Sequence, residues 1–250
     1  MLKRIIFLIT AILFVSSIIF SPTLAKADYL VKTIKHSDAV VMMGQSQPAR
    51  DEEGAVWIAK NKMRQDEGKN KTTIIRFDLK KIYVLDHSKK TYSEIDLPID
   101  LKKIIPPQAQ QLMQTLQVSS SFTDTGETKT IRDWKCKKYL VEISINMMGM
   151  DMPIKLEIWA SKDLKIDLNV YQKLYGEMLS LNPMFKNLSE EIKKVEGYPV
   201  LTIFSLNMMG AEQKYTEEVI SVEKIKAPAG TYDLPQGYTI TAFNPLELGK

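Results

Sequence analysis

The chain has 250 residues, 44% of them hydrophobic and 26% charged, with a formal net charge of +4. Three of its basic residues, Lys3, Arg4 and Lys26, fall in an N-terminal leader-like segment without acids, so residues 28–250 carry 31 basic against 30 acidic side chains. A near-neutral remainder of this length is enough for one large β-rich domain and removes the electrostatic motive for binding nucleic acid.

The segment 1–27 reads as a secretory signal peptide. Lys3 and Arg4 form the positive start, Ile5 to Phe20 an apolar run, and Ala25-Lys26-Ala27 an A-x-A cleavage site. The alternative is an uncleaved anchor, but the run is shorter than the ~20 residues a membrane helix needs. No later stretch is apolar enough to span a bilayer, so the expected location is periplasmic or secreted, soluble once the signal is removed. The single cysteine, Cys136, has no internal disulfide partner, and Trp134 and Tyr139 beside it favour burial in a strand.

From Tyr29 onward the pattern has period two. Val56 and Ile58 alternate with Trp57 and Ala59. Short β-branched and aromatic runs follow at 74–77, 82–85 and 91–95, divided by turn-prone clusters at 67–70, 78–80 and 86–88. This is the signature of an antiparallel meander. After Pro106-Pro107, the spacing of Ala109, Leu112, Met113 and Leu116 predicts an amphipathic helix over 106–117. Strands are expected again around 122–123 and 128–131. In the run from Cys136 to Met148, Tyr139, Val141, Ile143, Ile145 and Met147 share one face, and 153–160 returns. Asp167 is placed to cap a second helix over 167–181 with Val170, Tyr171, Leu174, Tyr175 and Met178 as its stripe. A polar stretch containing Glu190-Glu191 leads to strands at 198–208 and 215–225.

Ser144-Ile145-Asn146-Met147-Met148-Gly149 returns almost unchanged as Ser205-Leu206-Asn207-Met208-Met209-Gly210, and Met42-Met43-Gly44 is a shorter echo. Flexible, polarizable methionine suits surfaces that accept variable apolar partners, so these strand ends would form a soft apolar rim if the fold gathers them. The sharper alternative is Cu(I) binding by thioethers; packing or soft contact is preferred, because histidine is scarce.

Apparent catalytic motifs fail on context. Asp124-Thr125-Gly126 has no second copy and no apolar strand before the aspartate, so a turn is expected. Ser221-Val222-Glu223-Lys224 lies in an alternating strand, where the lysine cannot return to the serine. His36 and His87 are the only histidines and no zinc-ligand spacing occurs. No enzyme, metal or cofactor is expected.

One set of segments resembles a known family. Gly54-Ala55-Val56-Trp57-Ile58 with Lys62-Met63-Arg64 is similar to a strand pair of the periplasmic lipoprotein carriers, the LolA/LolB-like superfamily. Asp78, Lys81 and Ile82-Tyr83-Val84-Leu85-Asp86 resemble their next hairpin. Tyr232-Asp233-Leu234-Pro235-Gln236-Gly237-Tyr238 resembles the ending of a related bacterial family of unassigned function, which shares the surroundings of Tyr92 and Cys136. The chain departs from the carriers at Asn61, where they usually have proline, and shows no helix between Asp28 and Val40.

The resemblance implies an α+β fold over 28–250: a strongly curved antiparallel sheet, an incomplete barrel, covered by two or three lid helices. The expected function is non-catalytic binding of a lipid, acyl chain, lipoprotein or other amphiphile in the concave face. Trp57, Met63, Leu112, Met113, Leu116, Met147, Tyr171, Leu174 and Met208 are the expected lining, and Arg64 is a candidate for a polar headgroup. The second class is a cell-envelope protein-interaction module with a filled core.

Overall fold

A computed structural model describes residues 28–42, 45–100, 117–147, 149–164, 166–168, 186–208 and 211–243. The strands are β1 (Asp28–Ser37), β2 (Val40–Met42), β3 (Gln45–Gln47), β4 (Arg50–Ala59), β5 (Lys62–Glu67), β6 (Lys71–Arg76), β7 (Lys81–Asp86) and β8 (Thr91–Asp96). They continue with β9 (Gln117–Ile131), β10 (Trp134–Met147), β11 (Met150–Ser161), β12 (Tyr198–Met208), β13 (Ala211–Ile225) and β14 (Thr239–Ile240). Helix α1 (Lys186–Ile192) is the single helix among the described residues.

Twelve strands form one open sheet in the order β14-β8-β7-β6-β5-β4-β1-β13-β12-β11-β10-β9, and β2 and β3 make a separate hairpin. Neighbours are antiparallel except β14 beside β8. Two meanders, β4–β8 and β9–β13, are therefore joined through β1.

The α+β expectation is corrected: the described chain is nearly all β, with one short helix instead of two or three lid helices. The expected helices at 106–117 and 167–181 fall outside the described residues, apart from Gln117, which belongs to β9, and positions 167 and 168, where Leu168 is helical directly after the expected cap Asp167. Conversely, α1 occupies a stretch read as polar. Its two apolar residues, Leu188 and Ile192, stand one turn apart and join the cluster under β9–β11.

Alternation explains the strands. On β4, Val56 and Ile58 are buried, on β5 Met63, on β6 Ile75, on β7 Ile82 and on β8 Ile95. The register carries this inner face from strand to strand: Ile58 pairs with Met63, Met63 with Ile75, Ile75 with Ile82 and Ile82 with Ile95. These residues share one core cluster with Cys136, Trp159, Tyr198 and Val200 from β10–β12. Strands so far apart in the order meet only because the sheet curls, which agrees with the expected curvature; among the described residues its β14 and β9 edges stay unpaired. A second cluster, Tyr139, Val141, Ile143, Ile158, Ala160, Leu188 and Val195, sits between β10, β11 and α1.

Two glycines are required by close approach. A Cβ on Gly54 would meet Thr33 Oγ1 at 2.6 Å, where β4 lies against β1. Gly197, at φ +107°, would drive a Cβ to 2.5 Å from Ser161 O. The segment 28–37, where no helix was found in the sequence, is strand β1.

Asp124-Thr125-Gly126 makes the expected Asx-type turn, but within a strand instead of between two. It is an irregularity inside the long strand β9: Tyr139 pairs with Asp124 and Lys137 with Thr128, so β9 bulges. Gly126 takes φ +73° and its N–H donates to Asp124 Oδ1 at 3.1 Å. The two strands expected at 122–123 and 128–131 are thus one. Cys136 is buried, as expected, and burial pushes its thiol pKa up.

Candidate functional site

The second meander carries an apolar surface that its own packing leaves partly open. The register aligns Phe122, Val141, Leu156, Phe204 and Tyr215 across five strands on one face. The next row toward the hairpin ends is Ser120, Ile143, Ile154 and Leu206, and beyond it lie Val118, Ile145 and Met152. Val141 and Ile143 are buried. Phe122, Ile145, Met152, Ile154, Leu156, Phe204 and Leu206 are half-buried, and Tyr215 is 37% exposed. Phe122 stacks on Tyr139 at 5.6 Å, and Phe204 meets Tyr215 at 5.9 Å.

A groove of about 550 Å³ adjoins this surface. Phe204 and Tyr215 form its apolar side; Lys35, Arg50, Glu52, Glu67, Lys71 and Glu217 contribute charge of both signs. Lys35 Nζ lies 2.9 Å from Glu67 Oε1. An apolar floor beside a mixed polar rim matches the two ends of an amphiphile. Toward the hairpin ends the opposite face of the same strands is hydrophilic: Ser119, Ser121, Glu142, Ser144, Lys155 and Ser205 line a shallower depression of about 450 Å³.

The first meander differs, because the segment after β13 straps across its outer face. Arg64 Nε donates to both Asp66 oxygens, at 2.9 and 3.1 Å, and its Nη1 reaches Thr231 O at 3.1 Å. Arg76 grips Asp78 through two hydrogen bonds of 2.9 and 2.8 Å, and contacts Tyr232 O and Asp233 Oδ1, each at 3.1 Å. The Arg76 hydrogen bonds hold the Asp78 carboxyl below its ordinary pKa.

Further along, Thr72 Oγ1 donates to Asp66 Oδ1 at 2.6 Å and lies 2.8 Å from His87 Nε2. Since Asp66 takes the hydroxyl hydrogen, Nε2 must be the donor to Thr72. His87 Nδ1 is then free to accept from the Tyr238 hydroxyl, 2.7 Å away. Asp86-His87 does occupy a hairpin turn, but the histidine also anchors the strap, a role that a contact 151 residues away in sequence hides from any local pattern.

Among the described residues, the site residues expected from the sequence do not gather in one place. Met63 is 3% exposed within the inner core, while Trp57 and Arg64, paired with each other, lie on the opposite, strapped face. Arg64 is engaged by Asp66 and the strap. Leu112, Met113, Leu116, Tyr171 and Leu174 lie outside the described residues. Met147 and Met208 end β10 and β12, at the margin of the apolar surface. Sequence reasoning missed Leu156, Phe204 and Tyr215. Alternation in Ile154-Lys155-Leu156-Glu157-Ile158 was available to find the first; in β12, where both faces carry apolar residues, it could not single out Phe204.

The methionine-tipped strand ends do fall at one end of the fold. Met147 pairs with Met150, Met208 with Ala211 and Met42 with Gln45, and β2 contacts β13. Among the described residues no helix is long and apolar enough to cross a membrane, and no group of three or more His, Cys, Asp or Glu is disposed to hold a metal.

No curated protein matches the chain. Residues 38–238, which run from the end of β1 through both meanders to the strap's Tyr238, match the family described as Domain of unknown function (DUF4412). The chain therefore belongs to the DUF4412 family.

Proposed function

We propose that this protein is an exported, non-catalytic binder of an amphiphile, a lipid or a lipid-modified protein. The apolar chain would lie on the inner face of β9–β13 and the polar end in the adjoining charged groove. The observation that carries this reading is the half-buried apolar surface formed by Phe122, Ile154, Leu156, Phe204, Leu206 and Tyr215. Such a surface on a curled sheet gains stability by covering apolar area, roughly 25 cal/mol for each Å² removed from water. The resemblance of the 54–64 and 78–86 segments to periplasmic lipoprotein carriers supports the same ligand chemistry, and the A-x-A leader supports export. Trp57 and Arg64 enter this proposal as supports of the strapped half; Met63 enters it as a core residue.

Native mass spectrometry of the protein purified from its own cell envelope tests the proposal. A co-purifying lipid mass is expected, lost in Leu156→Glu while circular dichroism stays native. A clean apo mass, together with no binding of a fluorescent fatty acid by the folded protein, would overturn it and favour a protein-interaction module.

A further inference from the structure

The charged groove beside Phe204 and Tyr215 is laid out in rows. Arg50 pairs with Ser37 and Ser37 with Tyr215; one step along the same face, Glu52 pairs with Lys35 and Lys35 with Glu217. Phe204 and Thr202 of β12 extend these rows opposite Tyr215 and Glu217. The charges facing the groove balance: Lys35, Arg50 and Lys71 against Glu52, Glu67 and Glu217. Most of them are engaged within the fold. Lys35 Nζ lies 2.9 Å from Glu67 Oε1, which also accepts from Gln65 Nε2 at 3.0 Å. Glu52 Oε1 lies against Gly68, and Lys71 has a partner of its own. The His36 ring is taken by Asp51 at 2.6 Å and Asp38 at 3.1 Å. Among the described residues, Arg50 and Glu217 have no hydrogen-bond or ion-pair partner; Arg50 is exposed and Glu217 half-buried.

We infer that this groove takes a zwitterionic headgroup, a phosphate joined by a short spacer to an ammonium, with Arg50 on the phosphate and Glu217 and the Tyr215 ring on the ammonium. The inference rests on the amphiphile reading of the same site and names its headgroup. A guanidinium fork matches phosphate oxygens. A carboxylate and an aromatic face both attract a cation, and Tyr215, 37% exposed, stands one same-face step from Glu217 on β13. A half-buried carboxylate without a partner is costly, and an ammonium offsets that cost. Strands lie about 4.8 Å apart and same-face neighbours about 6.6 Å apart, so the Cα atoms of Arg50 and Glu217, two strands and one step apart, are separated by about 12 Å. Their side chains can close on the two ends of one small headgroup. A purely anionic headgroup would leave Glu217 facing it without compensation, and a purely cationic one would leave Arg50 so. The adjoining Phe204 and Tyr215 tie the headgroup to an apolar chain rather than to a free zwitterion.

Calorimetric titration with three probes of equal chain length, kept below micelle formation, tests it: dodecylphosphocholine, dodecyl phosphate and dodecyltrimethylammonium. Dodecylphosphocholine should bind about tenfold or more tightly than either singly charged probe. Arg50→Gln should weaken dodecylphosphocholine and dodecyl phosphate by about tenfold and spare dodecyltrimethylammonium. Glu217→Gln should weaken dodecylphosphocholine and dodecyltrimethylammonium by a similar factor and spare dodecyl phosphate. Both changes keep side-chain bulk outside the core, so circular dichroism should stay native. Lys155→Gln, on the opposite face, should leave all three affinities unchanged. Equal affinity for the three probes, or no change in either groove variant, would overturn the headgroup inference while amphiphile binding stands. Failure of the folded protein to bind any of the three would overturn both.

Discussion

The two meanders solve the same problem differently. In β4–β8 both faces are covered: the inner by Ile58, Met63, Ile75 and their neighbours, the outer by the 226–243 strap held at Arg64, Arg76 and His87. Ile74 and Leu85 on that outer side are therefore as buried as the core itself. In β9–β13 one face carries a surface of half-buried apolar residues, and the other is hydrophilic toward the hairpin ends. On the proposed reading, the closed half supplies rigidity and the half-buried apolar surface of the other half is where an amphiphile would bind.

This contrast is open to disruption in graded steps. Ile58→Ala should cost roughly 2–5 kcal/mol in urea unfolding, as a large-to-small change in a closed core. Leu206→Ala, made on the open surface, should cost well under half of that. Equal losses would mean that the two halves are packed alike.

Thr72→Val tests the strap from beneath. It removes the hydroxyl that joins Asp66 to His87 and leaves a half-buried ring nitrogen without its acceptor, at about 1–3 kcal/mol. Limited proteolysis should then cut within 226–243 before any other described segment. Tyr238→Phe removes one hydrogen bond to the same histidine and should cost about 0.5–1.5 kcal/mol, with a milder gain in cleavage.

Titration sharpens the point further. The native pKa of Asp78 is lowered by Arg76, so its contribution is present above the unfolded value near 3.8 and is lost as pH falls through the native value. Arg76→Met should flatten this acid limb of the stability curve. Tyr232 runs the other way: burial first, and the Asp28 charge after it, raise its pKa. Its contribution is complete below the ordinary tyrosine value of about 10 and falls away as pH rises beyond it. Exchange of strap amides should therefore quicken at alkaline pH, and in Tyr232→Phe that increase should shrink.

Strands were legible wherever polar and apolar residues alternate, and the expected 198–208 span coincides with β12. The limits lie where tertiary contacts override local pattern. The β9 bulge at Asp124–Gly126 looks like a break because glycine and aspartate are poor strand formers, yet β10 pairs across it. Helix α1 has only two apolar residues in seven and depends on the cluster it joins. The strap is invisible in the sequence, since Arg64 and Arg76 find partners 167 and 156 residues away. For the candidate site, Leu156 could be read from the alternation of β11, but only the register aligned it with Phe122, Phe204 and Tyr215.

Amide hydrogen exchange with and without a monomeric single-chain fatty acid tests the division of labour most directly. The expected result is new protection confined to β9–β13 and the adjoining end of β1, with β4–β8 unchanged. Protection spread evenly over both meanders, or none at a saturating concentration, would contradict an open binding half built on a closed one.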